Sequence, residues 1–268
     1  MKSYNIISLD LETTGLSTTK AEIIQLGIAV SIWDLDSVQK TITQQTLLPS
    51  FCKYVQPDQV AEIDSRVIEI TGITQAKLKE NKAKKFKEVF HTLKLHLDNI
   101  CGDLPRVLIS YNGNRFDIPI FCSTMARCFT EPFLELRKLK LTNNFDLLPC
   151  VRGEMDTTCL LRKKNGRVSY TLGDVYKAIT GHKLQGAHDA LVDCLSLFEC
   201  INRKEINQIL AMDLSCNQIS SCKYGINPMV IFKKYIDSYQ MNQNRKVEKG
   251  QRTIEDMFYN ASKKKMKC

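Results

Sequence analysis

The chain has 268 residues, 43% of them apolar and 25% charged, which suits one well-cored globular domain with room for an appendage. No run of 18 apolar residues occurs, so no membrane-spanning helix is predicted. The opening MKSYNIISLD lacks the apolar length and cleavage site of a secretory signal. An intracellular protein, nuclear or cytoplasmic and not secreted, is expected. The net charge of +9 is uneven: from Arg203 onward, 13 Lys and Arg face 6 Asp and Glu. That surplus suits a polyanionic partner but by itself identifies none. The 11 cysteines include no C-x-x-C, and Cys122/Cys128, Cys194/Cys200 and Cys216/Cys222 are six apart. Such spacing fits reduced, buried thiols better than a structural zinc site.

In chain order, Ile6–Leu9 reads as a buried strand, Glu22–Trp33 as a long β-branched strand and Leu47–Val55 as a third, together an antiparallel meander. SRVIEITGIT predicts a short helix ending at Gly72, with Thr74 capping the next turn. Phe86, Phe90, Leu93 and Leu97 line one helical face. The lysines at 82, 84, 85 and 87 around its start read as a solvated face. RVLISYNG predicts a strand ending in a Gly turn, followed by a helix with Asp117 in its first turn and Pro119 tolerated early. NFDLLPC reads as a further strand. Thr171 and Asp174 open a helix that Gly181 closes, and Ala190, Leu191, Leu195, Phe198 and Ile201 mark a last core helix. Strands followed by alternating helix and strand predict an α/β domain with a mixed sheet, whose site lies beyond the carboxyl ends of the strands.

The stretch IISLDLETTG ends its strand with Asp10 and Glu12. Acid-x-acid pairs recur at Asp34/Asp36, Glu62/Asp64 and Glu154/Asp156, so the pair alone says little. Alternation puts Asp10 and Glu12 on one strand face. Two unpaired carboxylates there raise each other's pKa, and a hard divalent cation relieves the repulsion. YNGNRFDIP adds Asp117 just after a strand-to-turn junction. GAHDALVDC adds His188 five residues before Asp193. Five helical residues turn roughly 500°, which leaves the two about 140° apart. The Gly186-Ala187 approach therefore predicts that His188 lies in a loop folding back over a helix that carries Asp193; a polar helix cap is the alternative.

D-x-E-T-T-G, N-G-x-R-F-D-x-P and H-x-x-x-x-D, in that order, resemble the three motifs of the DEDDh class of DnaQ-like 3′→5′ exonucleases. LISYNGNRFDIPIF and SYTLGDVYKAITGH look most like the three-prime repair exonucleases. The resemblance covers residues 1–202 and implies an RNase H-like fold, a mixed five-stranded sheet flanked by helices. It implies Asp10, Glu12, Asp117 and Asp193 as metal-binding acids and His188 as general base. Thr13, Thr14 and Leu16 would seat the terminal nucleotide, Ile73 would contact the last base, and Asn112 and Arg115 would be polar substrate contacts. The implied cofactor is Mg²⁺, two ions about 3.5–4 Å apart, with Mn²⁺ as the other candidate. Asp10 would bridge both ions, with Glu12 and Asp193 on the nucleophile side and Asp117 supporting the second. A neutral His188 would take the proton of the attacking water.

The implied activity is a 3′→5′ exodeoxyribonuclease that releases nucleoside 5′-monophosphates from free DNA 3′ ends, single strands preferred, in repair or replication. A proofreading subunit or an RNA 3′-end trimmer uses the same residues, and a catalytically inactive nucleic-acid-binding adaptor is the reading of another class. Neither the proline-rich insertion nor the membrane-anchoring tail of the mammalian-type enzymes is expected, since Pro totals 7 and the last residues given are charged. The resemblance leaves a homodimer open.

Residues 203–241 read as a helical extension. Asn227 is its predicted N-cap, Pro228 is at N1, and Ile231, Phe232, Tyr235, Ile236 and Tyr239 share one side. Residues 242–268 read as a flexible basic tail. Within it, 251–259 resembles the peptide that binds the replicative sliding clamp: Gln251, Ile254 and Phe258 match, and Met257 departs from the first aromatic place. The trailing lysines would face an acidic clamp rim.

Overall fold

Seven strands form one sheet in the computed structural model, which describes residues 2–58, 62–215 and 224–245. The chain runs β1 (Lys2–Thr13), β2 (Ile23–Asp36), β3 (Thr41–Leu47), β4 (Phe51–Tyr54), α1 (Ser65–Thr71), α2 (Gln75–Glu80), α3 (Phe86–Cys101) and β5 (Arg106–Ser110). It continues through α4 (Asp117–Cys128), α5 (Pro132–Arg137), β6 (Leu141–Asp146), α6 (Leu147–Glu154), α7 (Leu172–Thr180), α8 (Ala190–Ile201), α9 (Lys204–Ser215) and β7 (Gly225–Ile226). A further helix, α10, runs over residues 228–245.

The sheet order is β3-β2-β1-β5-β6-β7, with β4 also paired to β2. β1 and β5 are parallel, as are β5 and β6, and the other pairings are antiparallel. The mixed character matches the sequence expectation, but the count of five becomes seven. Leu47–Val55 is not one strand: the chain breaks at residues 48–50, around Pro49, so β3 lies almost wholly upstream in the mostly polar TITQQTL and β4 downstream. β7 is only two residues long. NFDLLPC is likewise divided. Asp146 ends β6 and caps α6 by accepting from Leu148 N, so the Leu-Leu run becomes helix rather than strand.

Both sheet faces are covered. On one, Ile7, Leu9, Leu11, Leu26 and Ile28 pack with Phe90, Leu93 and Leu97 of α3 and Phe121 of α4. On the other, Ile6, Ala29, Trp33, Val107 and Phe145 pack with Leu197 and Phe198 of α8 and Leu210 of α9. Leu191 and Leu195, expected in the core, are only half-buried, and Cys194 and Leu197 take that place.

Described residues beyond 202 join the same cores, among them Leu210 of α9 and Phe232 of α10. Asp213 Oδ2 accepts from Tyr224 N and Gly225 N and so holds β7 to α9. Asn227 caps α10 by accepting from Met229 N, and Ile231, Phe232 and Ile236 join the α3–α4 side. Tyr235 donates its hydroxyl to the Asn114 carbonyl at 2.6 Å, which ties α10 to the turn before α4. No helix among the described residues is long and apolar enough to cross a membrane.

α8 lies so close to β2 that a Cβ on Gly27 would sit 2.5 Å from the Ala190 carbonyl carbon. Gly27→Ala is expected to lower the unfolding free energy by about 1–3 kcal/mol. Gly15→Ala, where a Cβ meets nothing within 4 Å, serves as the control. Urea denaturation of both variants checks the difference, and equal midpoints would contradict this packing.

Candidate active site

β1 outruns β5. Their parallel pairing ends at Ser8–Ile109, while the pairing with β2 continues through Asp10–Gly27 and Glu12–Gln25. Asp10 and Glu12 thus emerge at the carboxyl end of a central strand, where open α/β sheets build sites. Alternation turns both toward α8, while Leu9 and Leu11 enter the α3–α4 core.

After β5, the chain turns through Asn112 at φ 60°. Gly113 follows because a Cβ there would collide with the Ser110 side chain. Asp146 fastens this turn: its Oδ1 accepts from Asn112 N at 2.8 Å and its Oδ2 from Asn114 N at 3.1 Å. The turn delivers Asp117 to the first position of α4. There its Oδ1 accepts from Leu11 N at 3.2 Å, on the β1 edge that β5 no longer reaches.

α8 brings the rest. Asp189 caps it by accepting from Leu191 N and Val192 N. His188, one residue earlier, has φ 68°, and its N–H donates to Asp193 Oδ2 at 3.1 Å. That left-handed step folds His188 back over the helix and overcomes the separation a regular helix would impose.

The three approaches meet in one cleft of about 650 Å³, lined by Asp10, Glu12, Asp117, His188 and Asp193. Thr13, Thr14, Leu16 and Asn112 also line it. The Thr13 hydroxyl donates to the Gly15 carbonyl, and the Thr14 hydroxyl accepts from Glu22 N. These bonds shape the loop, and Leu16 projects from it at 85% exposure.

Four carboxylates here form no ion pair with Lys or Arg among the described residues. Burial, then Asp193, Asp117 and Asp189, pushes Glu12 up to about 8. Burial, with Asp146 and Asp193 adding to it, lifts Asp117 to about 7 against the two backbone N–H groups that favour its charged form. Asp10 is raised by burial and by Asp117, Asp193 and Glu12, and Asp193 by burial against the His188 N–H. Each charge is costly in this surrounding.

The donor set fits a divalent cation. Ligand atoms of Glu12, His188 and Asp193 all lie within 4.8 Å of one another. Asp193 Oδ1 is buried with no hydrogen-bond partner. The carboxylate oxygens are hard donors suited to Mg²⁺ or Mn²⁺, and the imidazole stands close enough to act on a water that such an ion would bind.

Two expected substrate contacts fall elsewhere. Ile73 is 1% exposed and packs with Ile24, Ile63 and Leu78, because α1 stops at the left-handed Gly72 and the next residue turns inward. Ile70, 56% exposed, lines the cleft in its stead. Arg115 is exposed on the turn and outside the cleft lining, and its charge favours ionised Asp146. Gln251, Ile254, Met257 and Phe258 lie outside the described residues.

The sequence did not reveal several supporting residues. Asp146 was hidden by the reading of its stretch as one strand. Gln25 is 2% exposed and sits in register beside Glu12. Its Nε2 donates to Asp189 Oδ2 at 3.1 Å, and its Oε1 accepts from Ala190 N at 3.3 Å. It therefore ties β2 to the cap that follows His188. A polar residue inside the apolar run EIIQLGIAV was the available signal.

Residues 7–200 match the RNase_T exonuclease family, and the chain belongs to that family of DnaQ-like 3′→5′ exonucleases. It is 26% identical over 200 residues to human three prime repair exonuclease 2, covering 73% of this chain and 81% of the relative. It is 26% identical over 208 residues to bovine three-prime repair exonuclease 1, covering 72% and 61%. Among solved structures, E. coli exonuclease I superposes with a TM-score of 0.57 at 18% identity over 77% of this chain and 43% of that one. Its complex with a dA16 oligonucleotide gives a TM-score of 0.57 over 79% and 42%. The shared fold is the RNase H-like one. The chain spans about two fifths of the exonuclease I chain.

Two expectations follow. From its ordinary 4.5 up to about 8, folded Glu12 keeps a proton that the unfolded chain has lost. Stability of the metal-free protein therefore falls as pH rises through that window, with Glu12 alone contributing at most about 1.4 kcal/mol per pH unit. Glu12→Gln flattens the slope and added divalent cation opposes it; denaturant titrations from pH 5 to 8 in EDTA measure both. Gln25→Leu is expected to cut turnover or metal affinity by about 10–100-fold while Gln25→Glu, which sets a second carboxylate against Asp189, does no better. Unchanged kinetics in both would remove Gln25 from the site's support.

Proposed function

We propose that this chain is a divalent-metal-dependent 3′→5′ exodeoxyribonuclease that removes nucleoside 5′-monophosphates from free, preferably single-stranded, DNA ends. The observation that carries the reading is the meeting of Asp10, Glu12, Asp117, His188 and Asp193 in one cleft, with the acids unpaired by Lys or Arg among the described residues. A fold stable without that arrangement would gain by replacing buried, repelling carboxylates. Exonuclease I has been crystallised with single-stranded oligonucleotides, and its complex with DNA has a zinc-bound form, which supports a metal and a strand in this class of cleft.

Asp10, Glu12, Asp117 and Asp193 would hold the metal, Mg²⁺ or Mn²⁺. Bound there, such ions neutralise the scissile phosphate and favour ionisation of a water. The protein's own part is positional. Thr13–Leu16 and Asn112 border the space for the terminal nucleotide, with exposed Leu16 and Ile70 as apolar surfaces for its base. His188 accepts a proton from the attacking water through a ring nitrogen. The water oxygen bonds to phosphorus, the P–O3′ bond breaks, and the departing 3′ oxygen takes a proton from solvent, to which His188 then releases its own. The Asp193-to-His188 backbone bond holds the base's loop to an acid of the same site. Recruitment to a sliding clamp through residues 251–259 and assembly as a homodimer are separate parts of the proposal.

With Mg²⁺, 5′-labelled single-stranded DNA is expected to shorten stepwise from the 3′ end, faster than the matching RNA. His188→Ala is expected to lose about 10²–10⁴-fold in turnover, and Asp193→Ala at least as much. Full turnover by Asp193→Ala, or RNA cleaved in preference to DNA, would overturn the assignment.

A further inference from the structure

α1 and its cap form part of the cleft wall. Asp64, Arg66, Val67, Ile70 and Thr71 line it. Arg66 is exposed, and among the described lining residues it alone is Lys or Arg. Its backbone N–H is taken by the cap, donating to Asp64 Oδ1 at 2.8 Å. Its guanidinium makes no ion pair among the described residues, although Asp64 is two residues away. The wall thus presents one uncommitted planar cation to a hollow otherwise lined by five acids.

A nucleic-acid strand brings more negative charge than the scissile phosphate. The four acids and any cation they hold answer for the reacting diester, and the next phosphate along would meet Asp64 and the acid field uncompensated. The apolar side chains of Leu16, Ile70 and Phe116 suit bases and sugars, whereas a guanidinium matches a phosphate through paired N–H donors.

Resting on the exonuclease reading, we propose that Arg66 is the cleft's phosphate anchor, a substrate-binding residue that grips the strand at a non-scissile phosphate. It makes the site prefer an oligonucleotide to a lone nucleotide ester. Arg66 has no part in the bond-breaking step, so its loss weakens grip rather than chemistry.

The test compares wild type, Arg66→Ala and Arg66→Lys in the full chain. Anisotropy of a fluorescein-labelled dT oligomer, with Ca²⁺ in place of Mg²⁺, reads binding across a salt series. Arg66→Ala is expected to weaken binding about tenfold and to reduce the slope of log K on log salt by about 0.7, the value for one phosphate of a single strand. Arg66→Lys recovers part of the affinity and the slope. In turnover with Mg²⁺, KM for the oligomer rises about tenfold with kcat little changed. Hydrolysis of thymidine 5′-(4-nitrophenyl phosphate), which has one diester and no second phosphate, is unaffected. Equal binding by wild type and Arg66→Ala would overturn the anchor. So would a loss confined to one of dT, dA, dC or dG oligomers, which would make Arg66 a base reader. If the wild type cleaves nothing but its DNA binding still depends on Arg66, the anchor stands and the exonuclease reading fails.

Discussion

Four carboxylates that repel one another in a poorly solvated cleft are the constraint around which this fold is arranged. Left alone, each would be more comfortable protonated or in water. Their positions are held by three elements of the packed scaffold: the end of β1, the entry to α4 and the first turn of α8. Stability comes from the two apolar layers on the sheet, and the site draws on it. The ordering makes physical sense for a centre that becomes favourable only when positive charge enters. Pre-organised acids lose little conformational freedom at that moment, because the scaffold has already fixed them.

The supporting contacts share one logic. Each ties a site-bearing turn to the sheet through a buried polar side chain. Asp146 on β6 holds the turn before Asp117, Gln25 on β2 holds the cap after His188, and Gly27 lets α8 descend far enough for that cap to be reached. Tyr235 adds a tie from outside the family-matched region by binding the Asn114 carbonyl. α10 is therefore braced against the same turn that delivers an acid of the cleft, and it takes part in the rigidity of the site as well as in the core.

The acids were readable in sequence because their chemistry and order admit few substitutes. β1 and β2 were readable from their apolar, β-branched runs, and the caps at Thr74, Thr171 and Asn227 and the closing Gly72 and Gly181 for local reasons, since each satisfies backbone groups within a few residues. What failed depended on tertiary placement. The face of α8 that enters the core is set by its close approach over Gly27, so Cys194 and Leu197 are buried where Leu191 and Leu195 looked suited. The strand count depended on β3 and β7, whose sequences carry too little apolar signal to announce a strand. Ile73 and Ile70 are three residues apart in one motif, and only the left-handed Gly72 between them decides which faces the cleft. Gln25 and Asp146 act through partners distant in sequence, so the one local sign, a polar residue inside the apolar run of β2, did not say what it holds.

One device appears twice. Asn112 and His188 both adopt left-handed backbone, which costs a non-glycine residue roughly 1–2 kcal/mol, and each stands five residues before a site acid, Asp117 and Asp193. Three lysines with positive φ, at 40, 82 and 140, lie outside the cleft lining. At both site positions the strained step reverses the chain just before a helix and leaves the acid in that helix's first turn. There the helix N-terminus favours a negative charge. The strain and the helix start act on the same residue. The first aims the carboxylate into the cleft, and the second offsets part of the repulsion it meets there. Relaxing either turn would spare local strain and move an acid away from the others, and the burial of Ala190 against β2 together with the Asp146 bonds is what prevents it.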